Sequence, residues 1–301
     1  DGTTTLTMFQ LNHFLNEKMF YDVKYSITDN DYGSYVFEDY DGYKVLTEDG
    51  IHQGVYHFAG DTIYNYVNDK YMTAYGTGFF TGGQDKGHLN RITKTYNFKS
   101  DFTWQVTNAH SIKTGFSFIS YELENIYHTI RNAFAGTSLE SDQYKPIVLP
   151  DSTVYSDVYG VKPKERSFYI QDKFEKDEIV INVGLRYDAF DANTTYPSQR
   201  RNPVNASTYY LKDSDGLDSL DSDGNLILNE SRMSSPVQSK IASQISPRFG
   251  FAYQLGNVAV LHFSYGHFLQ MPPMYAIYSN HSSIIGPSDY STTVGNANLA
   301  S

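Results

Sequence analysis

Cysteine is missing from this 301-residue sequence, tryptophan occurs once, and 23 basic residues face 34 acidic ones. Without cysteine there are no disulfides, thiolate metal sites or cysteine nucleophiles. A net charge of -11 argues against nucleic acid as a partner, because binding phosphates takes a basic surface. Long apolar runs are missing too, and nothing approaches the roughly 20 residues that a membrane helix needs. That excludes helical spans but not membrane strands, which turn only alternate residues toward lipid. The opening DGTTTLTMFQ has neither the basic start nor the apolar core of a signal peptide. This fits a processed chain or an internal piece of a longer one.

What is abundant is aromatic: 27 tyrosines and 19 phenylalanines, a β-prone composition. The stretch IVINVGLRYDAF puts Ile179, Ile181, Val183, Leu185, Tyr187 and Ala189 on one side of a strand. Val180, Asn182, Gly184, Arg186 and Asp188 fall on the other. Four segments share a plan of alternating strand, short polar turn and second alternating strand. They run at about 5–27, 96–123, 167–190 and 247–268, with turns near NEK (16–18), Asn108, Lys176–Asp177 and Gly256–Asn257. Strands of about nine to eleven residues are expected, the length that crosses a bilayer at a barrel tilt.

Between hairpins the chain is rich in Asp, Asn, Ser, Gly and Tyr over roughly 28–95, 124–166, 191–246 and 269–301. Compact soluble domains rarely carry such long connections. Short turns alternating strictly with long loops are the plan of a transmembrane antiparallel up-and-down β-barrel, with turns on the periplasmic side and loops outside. The stretches HQGVYHFAG and DKYMTAYGTGFF are candidate local strands within the first long loop. A soluble sandwich or propeller would not sort its loops by end, and no blade-length repeat occurs. A complete eight-stranded barrel would need its last strand to pair with its first. The trailing GNANLAS favours part of a larger barrel instead.

The segment RSFYIQDKFEKDEIVINVGLRYDAF resembles the Tyr-x-Gln-Asp and Gly-Leu-Arg-Tyr-Asp strand pair of TonB-dependent outer-membrane receptors. ISPRFGFAYQL and VLHFSYGHFLQMPPMYAIY are similar to the Ser-Pro-Arg strand and following Tyr-Gly strand of those barrels, especially in the Oar-like branch. VGNANLA resembles that family's Gly-Asn-Pro-x-Leu element, and the likeness runs from about Phe98 to Leu299. The resemblance implies a 22-stranded bacterial outer-membrane barrel around an N-terminal plug, importing a solute with energy delivered through TonB. It also implies outer-membrane lipid as surroundings, with a surface lipoprotein or another extracellular partner at the loops. No plug, TonB box or terminal aromatic strand is legible in this span. The rival reading is a structural or adhesive barrel whose loops bind partners or calcium.

One loop carries a specific pattern. In KDSDGLDSLDSDGNL (212–226), Asp213, Asp215, Asp218, Asp221 and Asp223 recur around Gly216 and Gly224. Such spacing offers several carboxylates to a hard cation, and the stretch is similar to thrombospondin type 3 or dockerin-like calcium loops. The bland reading is a solvated acidic tip. On the polar strand faces, Lys173, Arg186, Asp188 and Arg248 are candidates to line a lumen, or to form cross-strand charge pairs. His52 with His57, and His262 with His267, are five apart and so on opposite strand faces, a poor metal geometry. Enzyme motifs fail: the Lys113-Thr114-Gly115 triplet has no Ser-x-x-Lys partner, and neither Gly-x-Ser-x-Gly nor His-Glu-x-x-His occurs.

Overall fold

The computed structural model describes residues 2–35, 53–58, 61–66, 87–138, 146–205, 207–282, 284–286 and 292–298. Strands β1 (Gly2–Asn16) and β2 (Met19–Ser34) form the first hairpin. A small hairpin of β3 (Gln53–Phe58) and β4 (Asp61–Tyr66) follows, so HQGVYHFAG does contain a strand. DKYMTAYGTGFF and His52 lie outside the described residues. The second large hairpin is β5 (Gly87–Gln105) with β6 (His110–Thr129). Short β7 (Arg131–Asn132) and β8 (Pro146–Ile147) pair with each other, and β9 (Ser156–Val161) pairs with β6. The third hairpin is β10 (Lys164–Lys176) with β11 (Ile179–Asp191). After the β12 (Thr195–Pro197) and β13 (Pro236–Gln238) pair comes the fourth, β14 (Ala242–Leu255) with β15 (Ala259–Gly266). A short helix α1 (Met274–Tyr278) follows.

The main sheet is antiparallel, in the order β1-β2-β5-β6-β10-β11-β14-β15. Turn chemistry starts each hairpin. Asp177 and Gly256 take positive φ values of 52° and 57°, and the Thr107 hydroxyl accepts the N–H groups of Ala109 and His110. β9 and β10 lie on successive parts of β6, and the break between them falls at Lys162–Pro163. Pro163 has no N–H to give a ladder, and its carbonyl accepts Tyr121 N at 3.0 Å.

Register keeps the two faces apart. One rung holds Val23, Ser100, Phe116, Phe168, Tyr187 and Ile245, and the next holds Lys24, Lys99, Ser117, Ser167, Asp188 and Gln244. The apolar face is exposed in the sheet: Phe168, Val183, Leu185, Ile245, Phe249 and Phe263 stand open. Asp172 breaks the pattern on that face, near the short turns, and is held at 2.8 Å by His110 Nδ1. β1 is less sorted, since Leu6, Met8 and Phe14 lie on its polar-side parity and are exposed.

The strands outrun the nine to eleven residues expected from bilayer thickness. β5 and β6 have 19 and 20 residues, and β10 and β11 have 13 each. The turns are also staggered. On the rung through Met19, Trp104, Ile112, Asp172, Val183 and Phe249, the first hairpin has its last pair, Asn16 with Met19. The fourth hairpin's last pair, Leu255 with Ala259, lies six residues past Phe249.

The buried cluster sits on the polar face at the long-loop end. Val161, Phe190, Ala192, Ile277, Tyr278 and Ala297 pack together there. Tyr278 is fully buried and donates to the Ala192 carbonyl at 2.6 Å. Gly295 passes so close to Ile277 that a Cβ would overlap its carbonyl. The chain after β15 therefore folds back over the wall.

If the exposed apolar face meets lipid, arginine at Ile181 or Val183 should cost about 2–4 kcal/mol each. Asn182→Arg, on the opposite face, should cost far less. Denaturant unfolding of the parent protein from lipid vesicles measures all three, and equal losses would sink the lipid-facing assignment.

Candidate functional site

The four polar-face candidates do share one side of the wall. Lys173, Arg186 and Asp188 sit on adjacent β10 and β11, and Arg248 lies on β14 beside Gly184. Their partners differ from the cross-strand pairs expected. Lys173 pairs with Glu175, and Arg186 Nε donates to both Asp188 oxygens at 2.8 and 2.9 Å, so both ion pairs run along a strand. Lys99 and Asp101 repeat that spacing at 2.9 Å. Residues two apart on a strand share a face, which is why the polar face neutralises itself strand by strand. Arg248 instead places its guanidinium 5.0 Å from the centre of the Phe268 ring.

Across strands the polar face is locked by a tyrosine. Tyr169 on β10 lies over Gly115 on β6 and donates to Asp101 Oδ1 on β5. A Cβ at position 115 would overlap both the Tyr169 ring and the Asp101 carboxylate. Gly115 therefore serves as the groove that the ring occupies, and the Lys-Thr-Gly triplet has a packing role. Ser117 and Ser167, directly paired, lie two residues further along β6 and two back along β10, on the same face.

Above them is a cavity of about 180 Å³. Ser117, Glu165, Arg166, Ser167, Arg186 and Asp188 supply its polar lining, and Phe190, Leu269 and Met271 are among its apolar residues. Leu269 and Met271 come from the segment after β15, whose folding sequence reasoning missed. The signal available was the Met271-Pro272-Pro273-Met274 run, apolar and stiff inside a polar loop.

The acidic loop holds two tandem turns. Asp213 Oδ1 accepts the N–H groups of Asp215 and Leu217, each at 2.9 Å. Asp221 Oδ1 accepts those of Asp223 and Asn225 at 2.9 and 2.8 Å. Gly216 and Gly224 supply φ values of 80° and 82° at matching positions. Hydrogen bonds from the backbone and side chain of Asn225 hold the Asp221 carboxyl below the ordinary carboxylate range. Asp218 pairs with Lys212 at 2.6 Å. Among the described residues no three His or acidic side chains are grouped to hold a metal. A cation at this loop would therefore have to compete with the backbone N–H groups that Asp213 and Asp221 already satisfy.

The two-faced sheet and its sorted connections define a β-barrel of the outer membrane. A family model described as outer membrane beta barrel domain matches residues 1–301, and the chain belongs to that family. No curated protein matches it. Among solved structures it is similar to the ferric citrate transporter FecA in the unliganded form, at 9% identity over 88% of this chain and 27% of that one, TM-score 0.45. It is also similar to a double mutant of the Serratia marcescens hemophore receptor HasR, in complex with its hemophore HasA and heme. There the identity is 12% over 92% of this chain and 35% of that one, TM-score 0.40. The chain thus spans 27% and 35% of these two structures.

Gly115→Ala should displace Tyr169 and cost about 1–3 kcal/mol through overpacking. Unfolding of the parent protein with and without the change tests this, and an unchanged midpoint would remove the lock. A second expectation concerns His281, whose Nε2 lies 2.6 Å from Thr194 Oγ1 and whose ring faces Tyr159. Burial pushes its pKa below the ordinary value, while nearby Asp157 pulls it back up. The unfolded segment therefore takes up a proton first, so the neutral ring's contribution is present above about pH 6.5 and lost as pH falls below it. Hydrogen-exchange protection factors over residues 274–282, corrected for the intrinsic rate at each pH, should fall from pH 7.5 to 5.5 in the native protein but not in His281→Gln.

Proposed function

We propose that this chain is part of the barrel wall of a TonB-dependent receptor of the Oar-like branch, one that imports a solute whose identity is open. The carrying observation is the sorting of the sheet. Its apolar residues lie mainly on one side from β2 to β15, its charges mainly on the other, and the chain after β15 folds over the charged side at the long-loop end. A wall built this way suits a polar lumen narrowed from above, which a transporter needs and an adhesive scaffold does not. The motifs from Tyr169 to Asp172 and Gly184 to Asp188 add the family resemblance. A plug and the TonB contact would come from other parts of the parent protein, and a surface lipoprotein or other extracellular partner would meet the loops.

Two experiments test this reading. Single cysteines at Asp157 and Asp221 should react with an impermeant maleimide on intact cells, and those at Asn108 and Lys176 only after permeabilisation. The reverse pattern would invert the topology. Deleting the parent gene should abolish uptake of the same nutrient that is lost on deleting TonB, from a panel of iron chelates, oligosaccharides and peptides. A strain without the gene that keeps every TonB-dependent uptake would overturn the transport function.

A further inference from the structure

The cavity between β6, β10, β11 and the segment after β15 has the makings of a ligand site, and we propose that it binds the carboxylate end of a partly apolar solute. Three observations meet there. The first is spare donor capacity beside carboxylates that already have partners: Asp188 is taken by Arg186 Nε, and Glu165 accepts from the Tyr121 hydroxyl at 2.9 Å. Arg186 spends only Nε on Asp188, leaving both terminal amino groups of its guanidinium without a hydrogen-bond partner among the described residues. The Ser117 and Ser167 hydroxyls are likewise uncommitted at the same cavity.

The second observation is orientation. Asp188 grips the guanidinium through Nε on both oxygens, which fixes its plane and leaves the fork of terminal N–H groups facing elsewhere. A guanidinium held in one plane matches a planar two-oxygen acceptor, whereas a lone amide oxygen or a hydroxyl satisfies half of it.

The third is the shape of the rest. Phe190, Leu269 and Met271 give the cavity an apolar lining beside its polar groups. At about 180 Å³ it is smaller than the roughly 300–1,000 Å³ of a whole-ligand pocket. It therefore accommodates an end group, a carboxylate with a few carbons behind it, and leaves the body of a larger solute in the lumen. The apolar lining holds the carbons while the serine hydroxyls and the guanidinium hold the oxygens.

This assignment gives the proposed transporter a substrate class and rests on that reading for its purpose, but binding is measured without uptake. A barrel that binds and does not transport is thus distinguished from one that transports other solutes. The intact parent protein, purified in detergent, is titrated with sodium butyrate and separately with butyramide, followed by saturation-transfer NMR. Butyrate should bind saturably in the millimolar range, and butyramide, of equal size and without charge, at least tenfold more weakly. An Arg186→Met, Asp188→Asn double variant, which removes the fork without stranding a charge, should lose the preference. Equal signals from acid and amide, no saturable binding of either, or full retention of the preference in a folded double variant would each overturn the proposal.

Discussion

Parity of the ladder is the constraint on which the structure depends. Each of the eight long strands is paired so that residues on one face meet residues on the same face of the neighbour, from β1 to β15. Because side chains alternate with a period of two, a one-residue slip in any ladder would turn a row such as Phe168, Ile170 and Phe174 toward the charges. The faces are therefore fixed collectively. Among the described residues the one register shift in these ladders lies near the first turn in β1, and the Lys162–Pro163 break keeps register, with three residues on each strand from Leu123–Val161 to Ser120–Lys164.

That constraint explains which parts of the fold were legible in the residues. Around Ile179 to Ala189 both faces declare themselves, and the turns at Glu17–Lys18, Asn108, Asp177 and Gly256 fall where polar residues interrupt the alternation. The upper halves of β5 and β6 were not legible. In GHLNRITKT and its partner strand, Lys94 faces Glu122 and Arg91 faces Asn125, so hydrogen bonding continues the ladder while apolar patterning has stopped. Alternation reports burial or lipid contact, and a strand rising out of both carries no such mark.

The polar face was legible only as a list of residues. Parity placed Arg186 and Asp188 on it, but their partners depend on contacts that sequence spacing does not specify. Tyr169 reaches Asp101 across two ladders because position 115 lacks a side chain. Leu269, Met271 and Tyr278 arrive from a connection more than 75 residues beyond β11's end. The aspartates of 212–226 show a related limit. Spacing identifies a tight turn, and the same spacing serves a bound cation or, as at Asp213 and Asp221, the turn's own N–H groups.

The stagger of the short turns sets a slope. If the turns lie at one level, a drift of six residues over six strand-to-strand steps means a climb of one residue per strand. With a rise of about 3.3 Å per residue and about 4.8 Å between strands, the strands lean roughly 35° from the barrel axis. A 13-residue strand such as β10 then stands about 35 Å tall, close to the height of a bilayer, while a 20-residue strand such as β6 reaches about 54 Å. The rim on the long-loop side is accordingly uneven: a palisade raised at β5, β6 and the β9 that continues β10's line beside β6, next to a lower edge at β11. The cavity, lined from β6, β10 and β11, lies at the step between the two heights.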